Sequence, residues 1–279
     1  MKTGCIIQAR QTSSRLPGKA LIDICGKPAL QRVIERVRQS NVDDVVVACT
    51  TNQADDGIEE LCNSLNCNVY RGSEEDVLSR VLEAAKHFEI DIIVEVTADC
   101  PLIDWNHINQ LLRLHGDGTA IDITMNIKER TFSRGYDVRI FNTTTLERVN
   151  TEVDNPIDRQ HVSTWMYENP KGKENYLCLN WKAPAKECRP DIEVTLDTPE
   201  DYALIQWLFS AAKEYALDLT CQDVINLIDT YPHIYEKVAK IQRKDYFEEL
   251  QNYYDSKELK EDGETKSLNN RGRRTKRTG

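Results

Sequence analysis

The sequence predicts an α/β fold of three layers around a mixed, mostly parallel sheet. Two observations lead there. Short apolar runs alternate with longer amphipathic stretches through the first half of the chain, so the hydrophobic period switches repeatedly between strand and helix spacing. Strands and helices in alternation build βαβ units and therefore parallel pairing. At 279 residues and 40% hydrophobic, the chain is also long enough to close a full core of that kind.

The elements follow in order. Gly4–Gln8 reads as the first strand. Gly26-Lys27-Pro28 introduces a helix over Ala29–Gln39, with Leu30, Val33, Ile34 and Val37 on one face. Asp44–Thr50, with Val45, Val46, Val47 and Ala48 in a row, reads as a strand buried on both faces. A short helix over Asp56–Leu65 and a strand over Asn68–Arg71 come next. Asp76–Phe88 is helical through Val77, Val81, Leu82 and Ala85, and Asp91–Thr97 is a strand running into Ala98-Asp99-Cys100-Pro101. Asn106–His115 reads as a helix and Ile121–Asn126 as a strand.

The pattern then loosens. Tyr136–Phe141, Tyr176–Trp181 and Ile192–Leu196 read as strands, and Leu146–Val149 and His161–Glu168 as helices. Thr198-Pro199-Glu200-Asp201 starts a helix, with Pro at its first position and carboxylates in its first turn. Thr220–Thr230 and His233–Leu250 complete the helical segments. Residues 1–250 are expected to form one domain. The stretch Lys266–Gly279 holds six basic residues and no acid, so 256–279 is expected to be a disordered basic tail.

Composition narrows the function. A net charge of −10 argues against nucleic-acid binding, which needs a basic face. No apolar stretch approaches the roughly 20 residues of a membrane span. The first strand starts within a few residues and leaves no room for a signal-peptide core, so a cytoplasmic location is expected. Nine cysteines (Cys5, Cys25, Cys49, Cys62, Cys67, Cys100, Cys178, Cys188 and Cys221) include no C-x-x-C pair and match no zinc spacing. They read as reduced thiols of core and surface and not as a metal site.

Chemistry gathers where strands end. Directly after Cys5-Ile6-Ile7, residues 8–19 read Gln-Ala-Arg-Gln-Thr-Ser-Ser-Arg-Leu-Pro-Gly-Lys. A polar loop leaving a strand with Arg10, Arg15 and Lys19 at spaced positions can cradle a polyphosphate through backbone N–H groups and cations. It is neither a Walker A sequence nor a dinucleotide fingerprint, since Gly18 stands alone. Thr50-Thr51-Asn52, Arg71-Gly72-Ser73 and Asp99 follow three further strands, and ligands of open α/β sheets bind beyond such ends. Asp99 and Asp197 each close an apolar run. Each reads either as an Mg²⁺ ligand or as the N-cap of the next helix.

The ordered motifs Gln8-Ala-Arg10 with Ser14-Arg15-Leu-Pro-Gly-Lys19, Tyr70-Arg71-Gly72-Ser73-Glu-Glu-Asp76, Thr97-Ala-Asp99-Cys-Pro-Leu-Ile-Asp104 and Leu196-Asp197-Thr-Pro-Glu-Asp201 resemble the cytidylyltransferase family of spore coat polysaccharide biosynthesis proteins. That family is related to the synthetases of CMP-activated octulosonic and nonulosonic acids. The resemblance spans roughly residues 4 to 245. It implies a Rossmann-like nucleotidyltransferase fold of the nucleotide-diphospho-sugar transferase type. It also implies CMP transfer from CTP to an acidic sugar or sugar phosphate, with release of pyrophosphate and with Mg²⁺ as cofactor.

On this resemblance Arg10, Arg15 and Lys19 bind the triphosphate and offset the leaving pyrophosphate. Gln8 and Ala9 pack near the base, Arg71 and Ser73 enclose the cytosine, and Asp99 and Asp197 carry Mg²⁺. Arg80 either reaches the nucleotide or is a solvated helix residue. Arg134, Tyr136, Asp137, Arg159 and His161 are the candidate acceptor residues, with His161 read equally as a structural histidine. Ala98 stands where relatives commonly have Gly, and Arg139 where spore coat relatives have Glu, which leaves acceptor identity open. By analogy alone, 134–185 is an acceptor and dimerisation sub-region of a homodimer. A GTP-using nucleotidyltransferase and a non-catalytic nucleotide-binding subunit of a polysaccharide pathway stand as alternatives.

Overall fold

Strand β1 (Thr3–Gln8) sends Cys5 and Ile7 to one face of a sheet and Ile6 to the other, all fully buried. This two-sided burial sets the architecture of the computed structural model, which describes residues 1–116, 120–243 and 245–256. A small hairpin of β2 (Asp23–Ile24) and β3 (Lys27–Pro28) follows. Then come α1 (Ala29–Val37), β4 (Asp44–Thr50), α2 (Asp56–Ser64), β5 (Asn68–Gly72), α3 (Val77–His87), β6 (Ile92–Thr97) and α4 (Trp105–His115). The second half supplies β7 (Ile123–Met125), β8 (Arg139–Asn142), α5 (Thr143–Glu152), α6 (Pro156–His161), β9 (Cys178–Asn180), α7 (Pro199–Tyr215) and α8 (Cys221–Thr230).

The seven-stranded sheet has the order β5-β4-β1-β6-β8-β7-β9. It is parallel from β5 to β6, β8 runs antiparallel to both of its neighbours, and β9 is parallel to β7. Helices α1, α2 and α4 cover one face through Leu30, Val33, Ile34, Ile58, Ile108 and Leu111. Helices α3 and α5 cover the other through Leu78, Val81, Leu82, Leu146 and Val149. Each such side chain contributes about 1.5–3 kcal/mol on burial. A third cluster joins α7 and α8 to Tyr136, Ile192, Val194 and Leu196. This is the predicted three-layer α/β class with a mixed, mostly parallel sheet.

Three expected elements come out differently. The helix over His161–Glu168 is instead α6, closed by Val162 at φ +54°, and a 3-10 turn over Thr164–Met166. Ile192–Leu196 has the alternation of a strand, and Ile192, Val194 and Leu196 are buried, but only Glu193 forms a bridge, to Arg134. The run packs as an extended segment. In place of the helix over His233–Leu250 there are 3-10 turns at Pro232–Ile234 and Val238–Lys240 and a helix over 246–256. Tertiary bonds override the helical spacing here: Tyr235 Oη accepts from the Glu193 amide at 2.7 Å and donates to the Asp191 carbonyl at 3.1 Å.

The chain forms one unit over Met1–Ile241, which holds the whole sheet, and a second over Gln242–Gly279. Residues 257–279, most of the expected basic tail, lie outside the described residues. Among the described residues no helix is long and apolar enough to cross a membrane.

Candidate active site

Because β1, β4, β5 and β6 run parallel, Gln8, Thr50, Gly72 and Thr97 end at one edge of the sheet. The cationic loop after β1 is anchored there by Asp55, a fully buried carboxylate. Asp55 accepts from the Gln11 amide at 2.8 Å, the Thr50 amide at 2.9 Å and the Thr50 hydroxyl at 2.6 Å. Glu74, from the loop after β5, accepts from Thr12 Oγ1 at 2.6 Å and Asn52 Nδ2 at 3.2 Å. Three loops are thus fastened to one another. Gly18, at φ +76°, then turns the chain into a 3-10 turn that begins with Lys19.

Lys19 is the centre of the site. Its Nζ lies 2.8 Å from Asp99 Oδ2 and 2.8 Å from Asp197 Oδ1, while Arg15 Nη2 lies 3.1 Å from Asp197 Oδ2. The Thr97 hydroxyl donates to Asp99 Oδ1 at 2.5 Å. The extended run 192–197 docks here through the Leu196 amide, 2.8 Å from the Asp99 carbonyl. Neither acid is an N-cap. Asp104 caps α4 and Thr198 caps α7 in a capping box with Asp201. Both carboxylates are therefore held for something other than helix termination.

Electrostatics fits that arrangement. Burial alone would push the Asp99 carboxyl up, but the Lys19 ammonium and the Thr97 hydroxyl hold it below its ordinary value. Burial alone would lower Lys19, yet Asp99 and Asp197 together raise it above its ordinary value. Both partners stay charged. Two carboxylates and two cations meet within salt-bridge distance at the mouth of the cationic loop.

The other residues expected at the nucleotide lie at or beside the same sheet edge. Gln8 Nε2 donates to Glu95 Oε1 at 2.8 Å, and Ala9 is buried with its amide on the Ala48 carbonyl at 3.1 Å. Ser73 Oγ accepts from the Asp76 amide at 3.0 Å. Arg80 is not a solvated helix residue. It is 2% exposed, donates Nη1 to the Ser73 carbonyl, and keeps Nε without a partner among the described residues. Burial and the nearby Arg10 both lower its pKa. No carboxylate lies within ion-pair distance of Arg10 or Arg80 among the described residues. Arg71 pairs with Asp56 at 2.7 Å and Glu59 at 2.9 Å and donates to the Thr50 and Asn52 carbonyls, so it ties α2 to β5.

The expected acceptor residues have different surroundings. Tyr136 is a core side chain, fully buried among residues of α7 and α8, and cannot meet an acceptor. Arg159 is held by Asp76 at 2.7 Å and by the Val153 carbonyl at 2.7 Å. His161 ends α6. Asp137 forms a two-pronged pair with Arg130 at 2.9 Å on each arm, and Arg139 and exposed Arg134 act on it electrostatically.

The sequence reading missed the buried network beside these residues. Glu95, 2% exposed in the middle of β6, accepts from Gln8 and from Ser163 Oγ at 2.5 Å and faces Arg139 across the β6–β8 ladder. Arg139 Nε in turn donates to Tyr167 Oη at 3.0 Å. A carboxylate inside Ile92-Ile93-Val94-Glu95-Val96 was the available signal, since a charge in a buried strand requires partners.

Known proteins resemble this chain in sequence and fold. A family model described as cytidylyltransferase matches residues 4–259. A protein of Methanocaldococcus jannaschii, itself uncharacterised, is 34% identical over 255 residues, covering 89% of this chain and 99% of its own length. The spore coat polysaccharide biosynthesis protein SpsF of Bacillus subtilis is 29% identical over 232 residues, covering 81% of this chain and 94% of its own. Among solved structures, a cytidylyltransferase from Leptospira borgpetersenii superposes with a TM-score of 0.78 at 32% identity, covering 88% of this chain and all of that one.

Proposed function

The chain belongs to the cytidylyltransferase family, and from that premise we propose that it transfers CMP from CTP to an acidic sugar or sugar phosphate, in the assembly of a surface polysaccharide or glycan. One observation carries the proposal. Asp99 and Asp197, from separate segments of the chain, converge on Lys19 and Arg15 at the mouth of the phosphate-binding loop.

The donor set suits Mg²⁺, a hard cation that takes oxygen ligands, and Asp99 and Asp197 are the residues that would hold it. Bound there, the ion would neutralise phosphate charge and orient the α-phosphate. The chain's own groups do the rest. Arg10 and Arg80, cations without carboxylate partners, are proposed to hold the nucleotide, with Gln8, Ala9 and Ser73 beside the base. An acceptor oxygen attacks the α-phosphorus in line; its new bond to phosphorus forms as the bond to pyrophosphate breaks. Arg15 and Lys19 stabilise the charge that departs with pyrophosphate, so positioning and electrostatics supply the catalysis.

The acceptor side is proposed at Arg134 and Asp137, with Arg130 and Arg139 adding positive charge suited to an anionic sugar. The segment 134–185 would also furnish a dimer arm; its β9 lies at the sheet edge and the adjacent Leu177 is an exposed apolar residue. Use of CTP favours the cytoplasm. The test is pyrophosphate release with CTP and Mg²⁺ across a panel of acidic sugars and sugar phosphates, for the wild type and Asp99→Asn. Turnover should require an acceptor and vanish in Asp99→Asn while the fold persists. Undiminished turnover in that variant would overturn the metal assignment.

A further inference from the structure

Away from the nucleotide centre, three side chains from separate segments bring a nitrogen, an oxygen and a sulfur together. His107 on α4, Glu187 in the 3-10 turn Ala185–Glu187 and Cys221 at the start of α8 each place a ligand-capable atom within 4.8 Å of the other two. His107 Nε2 lies 2.9 Å from Glu187 Oε2. His107 and Cys221 are buried and the Glu187 side chain is nearly so. The imidazole is boxed in by Phe132, Trp181 and Tyr136, with ring centroids 4.7, 5.4 and 5.6 Å away. Cys221 is fixed through its backbone, whose amide donates to Asp104 Oδ2 at 2.8 Å.

We propose that His107, Glu187 and Cys221 form a zinc-type metal site with three protein ligands and a fourth position for water. The donors choose the metal. Thiolate and imidazole with one carboxylate suit Zn²⁺, whereas Mg²⁺ and Ca²⁺ take oxygen alone. Zn–N and Zn–O bonds of about 2.0–2.1 Å and a Zn–S bond of about 2.3 Å put tetrahedral ligand atoms about 3.3–3.6 Å apart. Binding would open the 2.9 Å His107–Glu187 contact by a few tenths of an ångström and bring all three atoms, now within 4.8 Å of one another, to that spacing.

A second observation points to a ligand in the same place. Tyr136 Oη is fully buried and has no hydrogen-bond partner among the described residues. A water on the fourth metal position would offer a partner to this hydroxyl, whose ring lies 5.6 Å from that of His107. The sequence hides such a site, because its ligands are 80 residues apart from His107 to Glu187 and follow no short spacing. Its role is structural: it pins the 185–187 turn, which leads into the run carrying Asp197, to α4 and α8.

The full chain, stripped with a chelator, is titrated with Co²⁺. One equivalent should bind with a thiolate-to-cobalt charge-transfer band in the near ultraviolet, and Zn²⁺ should displace it. Cys221→Ser should lose the band, and Glu187→Gln should weaken Co²⁺ binding by about 10-fold or more. Saturating Zn²⁺ should raise the thermal midpoint of the wild type by about 5 °C or more and that of Glu187→Gln by less. Circular dichroism checks that both variants fold; if Cys221→Ser does not, Glu187→Gln decides alone. No band in the wild type, or an undiminished band in the folded variants, overturns the proposal. Cys100 Sγ lies 3.7 Å from Asp99 Oδ1, so a band that survives in folded Cys221→Ser is assigned to the Asp99 site and counts against the proposal.

Discussion

Lys19 Nζ lies 2.8 Å from Asp99 Oδ2, joining residues 80 positions apart in the chain. The ammonium occupies the space between the two carboxylates proposed to hold the divalent ion. On that proposal lysine and metal ion would compete for Asp99 and Asp197 until a triphosphate took the lysine. Lys19→Met keeps the length of the side chain and removes its charge. Without nucleotide this variant should bind Mn²⁺ more tightly than the wild type, because two carboxylates are left uncompensated. Its kcat should fall by about 100-fold or more, the cost of losing one preorganised charge donor. Calorimetric Mn²⁺ titration beside steady-state kinetics reads both, and weaker Mn²⁺ binding would refute the competition.

The same pair sets an acid limit to stability. Asp99 is held below its ordinary carboxylate value in the fold, so its contribution is present above about pH 3.9, the unfolded value, and is lost as pH falls through the folded one. Lys19 is raised, so its contribution is complete below about pH 10.4 and is lost only as pH climbs through its folded value. Between about pH 5 and 9 the clasp is intact on both counts. Urea unfolding from pH 7 down to pH 2.5 should show the wild type losing stability more steeply than Asp99→Asn. Parallel curves would mean that Asp99 is not the acid-sensitive group.

Much of this site is written in the sequence for a physical reason. Parallel strands buried on both faces give continuous apolar runs, so Asp44–Thr50 is plain and the residues that follow each run fall at one sheet edge. Arg15, Lys19 and Asp99 follow from that rule, whereas Asp197 closes an apolar run that is not a strand of the sheet. What the sequence hides is who pays with whom. Arg71 looks like a ligand, yet Asp56 and Glu59 claim it. Tyr136 sits beside chemistry-bearing residues but faces the core. The network of Glu95, Ser163 and Arg139 spans 68 residues between its first two members, and no local period encodes such a partnership. Ile192–Leu196 carries the alternation of a strand and forms a single bridge, to Arg134.

Gly72 controls Arg80. A Cβ at this position would meet Arg80 Cγ at 2.9 Å and Tyr70 Cε1 at 3.1 Å. Gly72→Ala should therefore displace the buried guanidinium, which has no carboxylate to hold it in place. If Arg80 binds the nucleotide, KM for CTP rises by about 10-fold with kcat little changed, since binding and not charge development is affected. A variant with wild-type KM would remove Arg80 from the nucleotide site.

Gly135 bears on Asp197 from a distance. It holds φ +105°, where side chains are strained, and an added Cβ would lie 2.8 Å from Val194 Cγ2 and 3.0 Å from the Val194 carbonyl carbon. Its neighbour Arg134 makes the backbone bridge that anchors the 192–197 run, with the Val194 amide 2.8 Å from the Arg134 carbonyl. Gly135→Ala should cost about 1–3 kcal/mol in backbone strain and, by pushing Val194, shift Asp197 away from Lys19. Gly26→Ala is the control. Gly26 is also at positive φ, +85°, but has nothing within 4 Å of an added Cβ. Both variants should lose stability by denaturant unfolding, while only Gly135→Ala should lose turnover when assayed well below its midpoint. Equal turnover in the two would show that the bridge does not position Asp197.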